Sequence, residues 1–173
     1  IYVSLMAMTA LVIQVGCGSF IIRYGALRIS QISLVMGGLG LMLVPLGLIP
    51  ILVLSAMTIG GGGASTPASS HLLGRYSPLK WAPLVFSIKQ TAVPVGLLIA
   101  GLLGPFLSEI FGWRGTFLII AAACIVFAVM LQPLRWKFDS DKDTTRKFRL
   151  SDFKRTITLV LNQPDLRSLA LAC

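Results

Sequence analysis

Four stretches of the chain, residues 1–22, 29–74, 90–108 and 115–134, contain no Asp, Glu, Lys or Arg. A bilayer core about 30 Å thick takes about 20 apolar residues of helix to cross, and a small soluble domain has no use for several such runs in succession. The second stretch is long enough for two crossings, and Pro45, Gly47 and Pro50 interrupt it near its middle. The pattern predicts an all-α fold, a polytopic membrane helical bundle, with five transmembrane helices over about 1–22, 29–49, 51–74, 82–108 and 115–134. After these come a basic loop with an amphipathic helix, 135–163, and the start of a further transmembrane helix, 164–173.

Composition agrees with this pattern. Hydrophobic residues make up 55% of the chain and charged residues 12%, with a mean hydropathy of +0.86, too few charges to solvate a globule of this size. The net charge of +9 would fit nucleic acid if it were spread over a face. Eight of the 15 Lys and Arg residues, however, lie between Arg135 and Arg155 beside four Asp, so the charge belongs to one loop and no nucleic-acid partner is expected. Cys17, Cys124 and Cys173 are far apart and lack metal-ligand spacing, so they read as small apolar residues and no cofactor is expected. Ile1 is not an initiator Met, and Leu166, Leu169, Ala170 and Leu171 open a new apolar run close to the last residue. Both ends are expected to be cuts, which would make the chain a fragment.

Orientation follows from the loops. Arg23 and Arg28, then Arg75 and Lys80, then the basic tail all fall on one side of the predicted bundle. The other side has the uncharged link at 45–50 and the turn Glu109 to Arg114, whose charges cancel. By the positive-inside rule, loops 23–28, 75–81 and 135–163 are cytoplasmic in a multi-pass protein of the plasma (inner) membrane. Trp81, Trp113, Trp136, Tyr2, Tyr24 and Tyr76 all fall at predicted span ends, where amphipathic rings meet the headgroups.

Glycines cluster within the spans: Gly37, Gly38 and Gly40, then Gly60 to Gly63, then Gly96, Gly101 and Gly104. Small residues let helices approach closely. Gly60 to Gly63 followed by Pro67 can also bend or unwind span three, so packing and a working hinge are both open. Polarity enters the bilayer at Lys89, about 12 Å along the helix from Trp81 at about 1.5 Å per residue. An intramembrane charge is a functional candidate, but a lysine at this depth can also stretch its stem to the interface. Spans three and four run antiparallel, so Ser65, Thr66, Ser69, Ser70 and His71 are expected at the depth of Lys89, Gln90 and Thr91. Such a cluster can bind an anionic group of a substrate through Lys89, or it can satisfy backbone groups freed by Pro67 and Pro94. Gln14 is a second polar candidate, for substrate or for an interhelical hydrogen bond.

The segment Gly18-Ser-Phe-Ile-Ile-Arg-Tyr-Gly-Ala-Leu-Arg28 resembles the loop signature of the major facilitator superfamily, Gly-x-x-x-Asp-Arg-x-Gly-x-Arg-Arg, which joins helices two and three on the cytoplasmic side. Gly18, Arg23, Gly25 and Arg28 match in register, which implies a gating loop. Ile22 stands where the family usually has Asp, and Leu27 where a basic residue is common. In the family that Asp takes part in a charge network helping to lock the cytoplasmic gate, so the lock here is weakened, relocated or replaced. Gly60, Gly62 and Pro67 resemble the small-residue part of the fourth-helix motif, with Ala56 where its Arg would fall. Gly104-Pro105 resembles the core of the antiporter motif of helix five, with Ser108 and Glu109 in place of its closing glycines. Gly112-Trp113-Arg114 followed by Phe117 is similar to the turn that commonly joins helices five and six. The resemblance implies helices two to six, the central loop and the start of helix seven of a twelve-helix transporter, a partial fold of that family.

In the tail, Leu150, Phe153, Ile157, Val160 and Leu161 repeat at near-helical spacing with Lys154 and Arg155 on other faces, which suits the inner membrane surface. No nucleophile elbow or phosphate loop is present, and Glu109 is the only carboxylate before the tail, so no enzyme is expected. Two functional classes stay open. One is a fragment of a secondary active transporter moving a small-molecule solute by alternating access, with the lipid bilayer and the missing remainder of the same transporter as its partners. The other is a non-transporting multispan scaffold or interaction protein whose glycine surfaces assemble with partner helices.

Overall fold

The computed structural model describes residues 1–138, and the amphipathic helix expected within 135–163 and the helix expected from 164 lie outside the described residues. Every regular element among the described residues is helical. Helix α1, Tyr2–Gly16, stops at Cys17 and the chain turns 60° into α2, Gly18–Tyr24. The sequence reading treats 1–22 as one uninterrupted run because it carries no charge. Charge marks where lipid ends and says nothing of helix continuity. Gly16 and Gly18 flank the break and weaken the helix on both sides, while the Cys17 thiol donates to the Gln14 carbonyl at 3.2 Å and occupies one freed acceptor.

Two of the turns between later helices fall on glycines in conformations that side chains rarely adopt. Gly25, at φ 94° and ψ 144°, joins α2 directly to α3, Ala26–Leu43. Gly47, at φ 71°, ends a 3₁₀ turn over Val44–Leu46 that leads into α4, Ile49–Gly61, with Pro50 in its first turn where the missing N–H costs nothing. A second 3₁₀ turn, Gly62–Ala64, passes into α5, Ser65–Tyr76. Pro67 lies in the first turn of α5, among N–H groups that have no intrahelical acceptor, so it does not break the chain there. The bend or unwinding weighed for 60–67 amounts to one tightened turn.

Helix α6, Ala82–Met130, is 49 residues long and would measure about 73 Å if straight, more than twice the hydrocarbon thickness. It is not straight: Gly112, at φ 68° and ψ 165°, divides it into two limbs. A short helix α7, Arg135–Phe138, ends the described chain. By length and apolarity, residues 26–46, 49–76 and 82–130 each qualify to cross a membrane, and α1 with α2 qualify together as one bent span.

Helix α3 is the centre of the bundle, packed against α4, α5 and the second limb of α6, while α1 packs on α4. The buried cluster is built of small or slender side chains, Cys17, Ile21, Ala26, Ile29, Ala64 and Ala68. Glycine sets the helix spacing. A Cβ added at Gly60 would come 2.6 Å from the Met6 carbonyl oxygen and 2.8 Å from Thr9 Cβ, and one at Gly63 would come 3.0 Å from Ala10 Cβ, so α1 lies directly on the glycine run. On another side, a Cβ at Gly40 of α3 would come 2.6 Å from Thr58 Oγ1, and one at Gly38 would come 3.1 Å from the Ala121 carbonyl. The contrast is in the first limb of α6. Around Gly96, Gly101 and Gly104 an added Cβ would meet nothing within 4 Å, and Leu97 and Leu98 are 71% and 63% exposed. The close packing expected of that span is not made with the described residues.

Candidate functional site

Helix α5 brings Thr66 and Ser70 onto one face, one turn apart, because residues four apart stack along a helix. The first limb of α6 runs beside it and delivers Lys89. The Lys89 ammonium donates to the Thr66 carbonyl oxygen at 3.0 Å and to the Ser70 hydroxyl. Ser70 Oγ in turn donates to the Thr66 carbonyl at 3.0 Å, and Ser69 Oγ donates to the same oxygen at 2.9 Å. One carbonyl thus collects two hydroxyls and an ammonium.

Tyr76 and Arg75 mark the end of α5, and Thr66 lies ten residues before Tyr76, about 15 Å along the axis. A snorkelling lysine would point its amine toward that end. The Lys89 ammonium lies between Thr66 and Ser70, the latter one turn nearer that end, with its side chain half-buried.

Other candidates divide around this centre. Thr66 and Ser70 bond Lys89 directly, and Ser69 is linked to it only through the Thr66 carbonyl that both use. Ser65 is half-buried and Gln90 is exposed, with neither in the hydrogen bonds that hold Lys89. Thr91 bonds its own helix, at the Ser87 carbonyl, 2.9 Å away. Gln14 lies on a different interface, its amide nitrogen 3.2 Å from where a Cβ on Gly63 would stand. Ala56, where the resembled motif carries Arg, is wholly buried.

At the α2–α3 turn, Arg23 and Arg28 both bring their guanidinium carbons to the Tyr24 ring, 5.4 and 5.8 Å from its centroid. Tyr24 also stacks on Phe20 at 6.2 Å. An aromatic face therefore receives the two arginines beside Ile22, where the resembled signature offers a carboxylate.

Two polar contacts escaped the sequence reading. Gln31, buried in α3, donates through Nε2 to the Ala128 carbonyl at 3.1 Å. Ala128 is in the last turn of α6, where carbonyls run out of intrahelical partners, so a glutamine of another helix caps it. A groove of about 300 Å³ lined by Gln31, Val35, Ala128, Val129 and Gln132 flanks this cap and does not include Lys89. Tyr2 and Ser55 share a hydrogen bond of 2.6 Å that ties α1 to α4, and Ser55 has no exposed surface. The only sequence signal for either was a polar residue within an apolar run.

Among the described residues no three His, Cys, Asp or Glu side chains gather as metal ligands. Neither a curated protein nor a solved structure matches the chain. The family model of the Major Facilitator Superfamily matches residues 1–173, the entire chain, and with an all-helical bundle of membrane-spanning length the protein belongs to that superfamily of membrane transporters.

Proposed function

We propose that this chain is part of a secondary active transporter that carries a small solute by alternating access, and that Lys89, Thr66, Ser69 and Ser70 form part of its solute path. The observation behind this reading is the bonding of Lys89, a cation within an apolar span, to a carbonyl and a hydroxyl of the neighbouring helix: such a charge is costly in a membrane and makes sense where polar cargo passes. Gln14, Ser65 and Gln90 are assigned to the outer parts of the same path. The chain crosses the membrane five times in this reading, with α1 and α2 as one bent crossing and Gly112 as the turn between the last two. The loops at 23–28, 75–81 and 135–163 face the cytoplasm across the plasma membrane. Gly18, Arg23, Gly25 and Arg28 form the gating loop, and Tyr24 takes over the role of the family's acid by holding both arginines. Gly60 and Gly62 fix helix packing, and Gly104 with Pro105 faces the remainder of the transporter. No catalytic step is assigned.

The test is transport by the full-length protein in sealed vesicles offered a mixture of amino acids, sugars, nucleosides and organic acids, with the lumen read by mass spectrometry. At least one solute is expected to enter faster than into protein-free vesicles, and Lys89→Ala is expected to reduce that entry about tenfold or more. Entry of no solute, or entry unchanged by Lys89→Ala, refutes the assignment.

A further inference from the structure

From the hydrogen-bond inventory around Lys89 we infer that the solute carries a negative charge, a carboxylate or phosphate group that pairs with the Lys89 ammonium; this rests on the transport reading above. An ammonium has three donors and no acceptor. Two of them go to the Thr66 carbonyl and the Ser70 hydroxyl, which leaves one donor and the full charge. The Thr66 carbonyl also receives Ser69 and Ser70, and Ser70 uses its own proton on that carbonyl while its oxygen accepts from Lys89. A cationic group would meet the like charge of Lys89 in this cluster.

Charge balance points the same way. Glu109 is the one carboxylate side chain among the described residues. It lies twenty residues further along α6, about 30 Å at 1.5 Å per residue, at the opposite end of the limb. Carbonyl and hydroxyl dipoles lower the cost of the half-buried cation without neutralising it. No carboxylate pairs with Lys89 among the described residues, so a counter-charge is a favourable thing for an incoming solute to bring, and an anion also matches the remaining donor.

Anionic lipid headgroups share this chemistry, so the experiment separates the two sources. The full-length protein is reconstituted in phosphatidylcholine vesicles, and in parallel in vesicles containing phosphatidylglycerol. Labelled succinate, lactate, inorganic phosphate, glucose and choline serve as probes, and wild type, Lys89→Gln and Lys89→Arg are compared after each has been shown to melt at the wild-type temperature. Support is uptake of at least one anionic probe in phosphatidylcholine vesicles, lost at least about tenfold in Lys89→Gln and largely retained in Lys89→Arg. Uptake confined to glucose or choline, or anion uptake indifferent to Lys89→Gln, overturns the anion assignment and leaves the transport reading standing. A Lys89→Gln effect seen only with phosphatidylglycerol assigns the charge to lipid and also overturns it. A wild type that moves none of the probes overturns it, and the wider mixture described above then decides whether the transport reading falls as well.

Discussion

The glycine run of α4 gives the sharpest test of how the bundle is held together. Replacing Gly60 with Ala adds one methyl group whose carbon would stand 2.6 Å from the Met6 carbonyl oxygen, 2.8 Å from Thr9 Cβ and 3.2 Å from the Ala10 nitrogen. Ordinary contact begins at 3.4 Å, so α1 and α4 must part by about 0.8 Å, and two of the three obstacles are backbone atoms that cannot rotate away. A gap of that size forfeits between a quarter and a half of each dispersion contact along the interface. Overpacking of this kind costs about 1–3 kcal/mol, and the backbone constraint puts Gly60 toward the upper end. Replacing a helical glycine returns about 0.5–1 kcal/mol through reduced chain entropy. The expected net loss is about 2 kcal/mol, or a fall in Tm of about 4–8 °C on the scale of folded chains of similar length. Gly37 supplies the control, since a Cβ there meets nothing within 4 Å, and Gly37→Ala is expected to leave Tm unchanged or raise it slightly. Thermal melting in detergent, followed by a thiol-reactive dye reporting exposure of buried Cys17, measures both variants. Gly60→Ala melting at or above wild type, or Gly37→Ala falling as far as Gly60→Ala, would refute the claim that glycine contact sets the α1–α4 distance.

Gln31→Leu removes the donor that caps Ala128 and leaves that carbonyl unpaired in a buried position, at an expected cost of about 1–3 kcal/mol in the same melting assay. Unchanged stability would show that another donor serves the carbonyl. In a double-mutant cycle, Tyr2→Phe and Ser55→Ala are each expected to cost about 1 kcal/mol and to be clearly non-additive, because both delete one hydrogen bond; additive losses would mean that the pair does not interact. Gly112→Ala forces a side chain into a backbone region that is nearly exclusive to glycine and is expected to cost about 1–3 kcal/mol. A smaller loss is expected at Gly47→Ala, whose φ of 71° and ψ of −1° lie in the more tolerated left-handed region. Equal tolerance at both glycines would argue that the α6 break is not held by Gly112.

Legibility in the sequence followed the strength of the local physics. Helical content and membrane class could be read from the uncharged runs, because an apolar segment of span length has one favourable state in lipid. Turn positions were half legible. Pro45, Gly47 and Pro50 announced one turn and Gly112 lay within the expected Glu109 to Arg114 turn, whereas the 60° bend at Cys17 was not anticipated because its signal, two flanking glycines, occurs throughout this chain. At the site, depth matching placed Lys89 near Ser65, Thr66, Ser69, Ser70 and His71. Choosing Thr66 and Ser70 among them as the direct partners required knowing which faces of α5 and α6 meet, and apolar runs with little amphipathic contrast do not encode that rotation.

Residue spacing and charge alone therefore determined that the protein is a helical membrane bundle, and the ordered motifs around Arg23, Gly60 and Gly112 led to its superfamily. Tertiary structure decided what the individual polar groups do. It brought Lys89 to Thr66 and Ser70, set Gln31 on the Ala128 carbonyl, laid α1 against the glycines of α4 and set both loop arginines near the Tyr24 ring. The division has one physical reason. Transfer of apolar surface into lipid depends on how much surface a segment has, which composition states, while a hydrogen bond depends on distance and direction between helices, which composition does not.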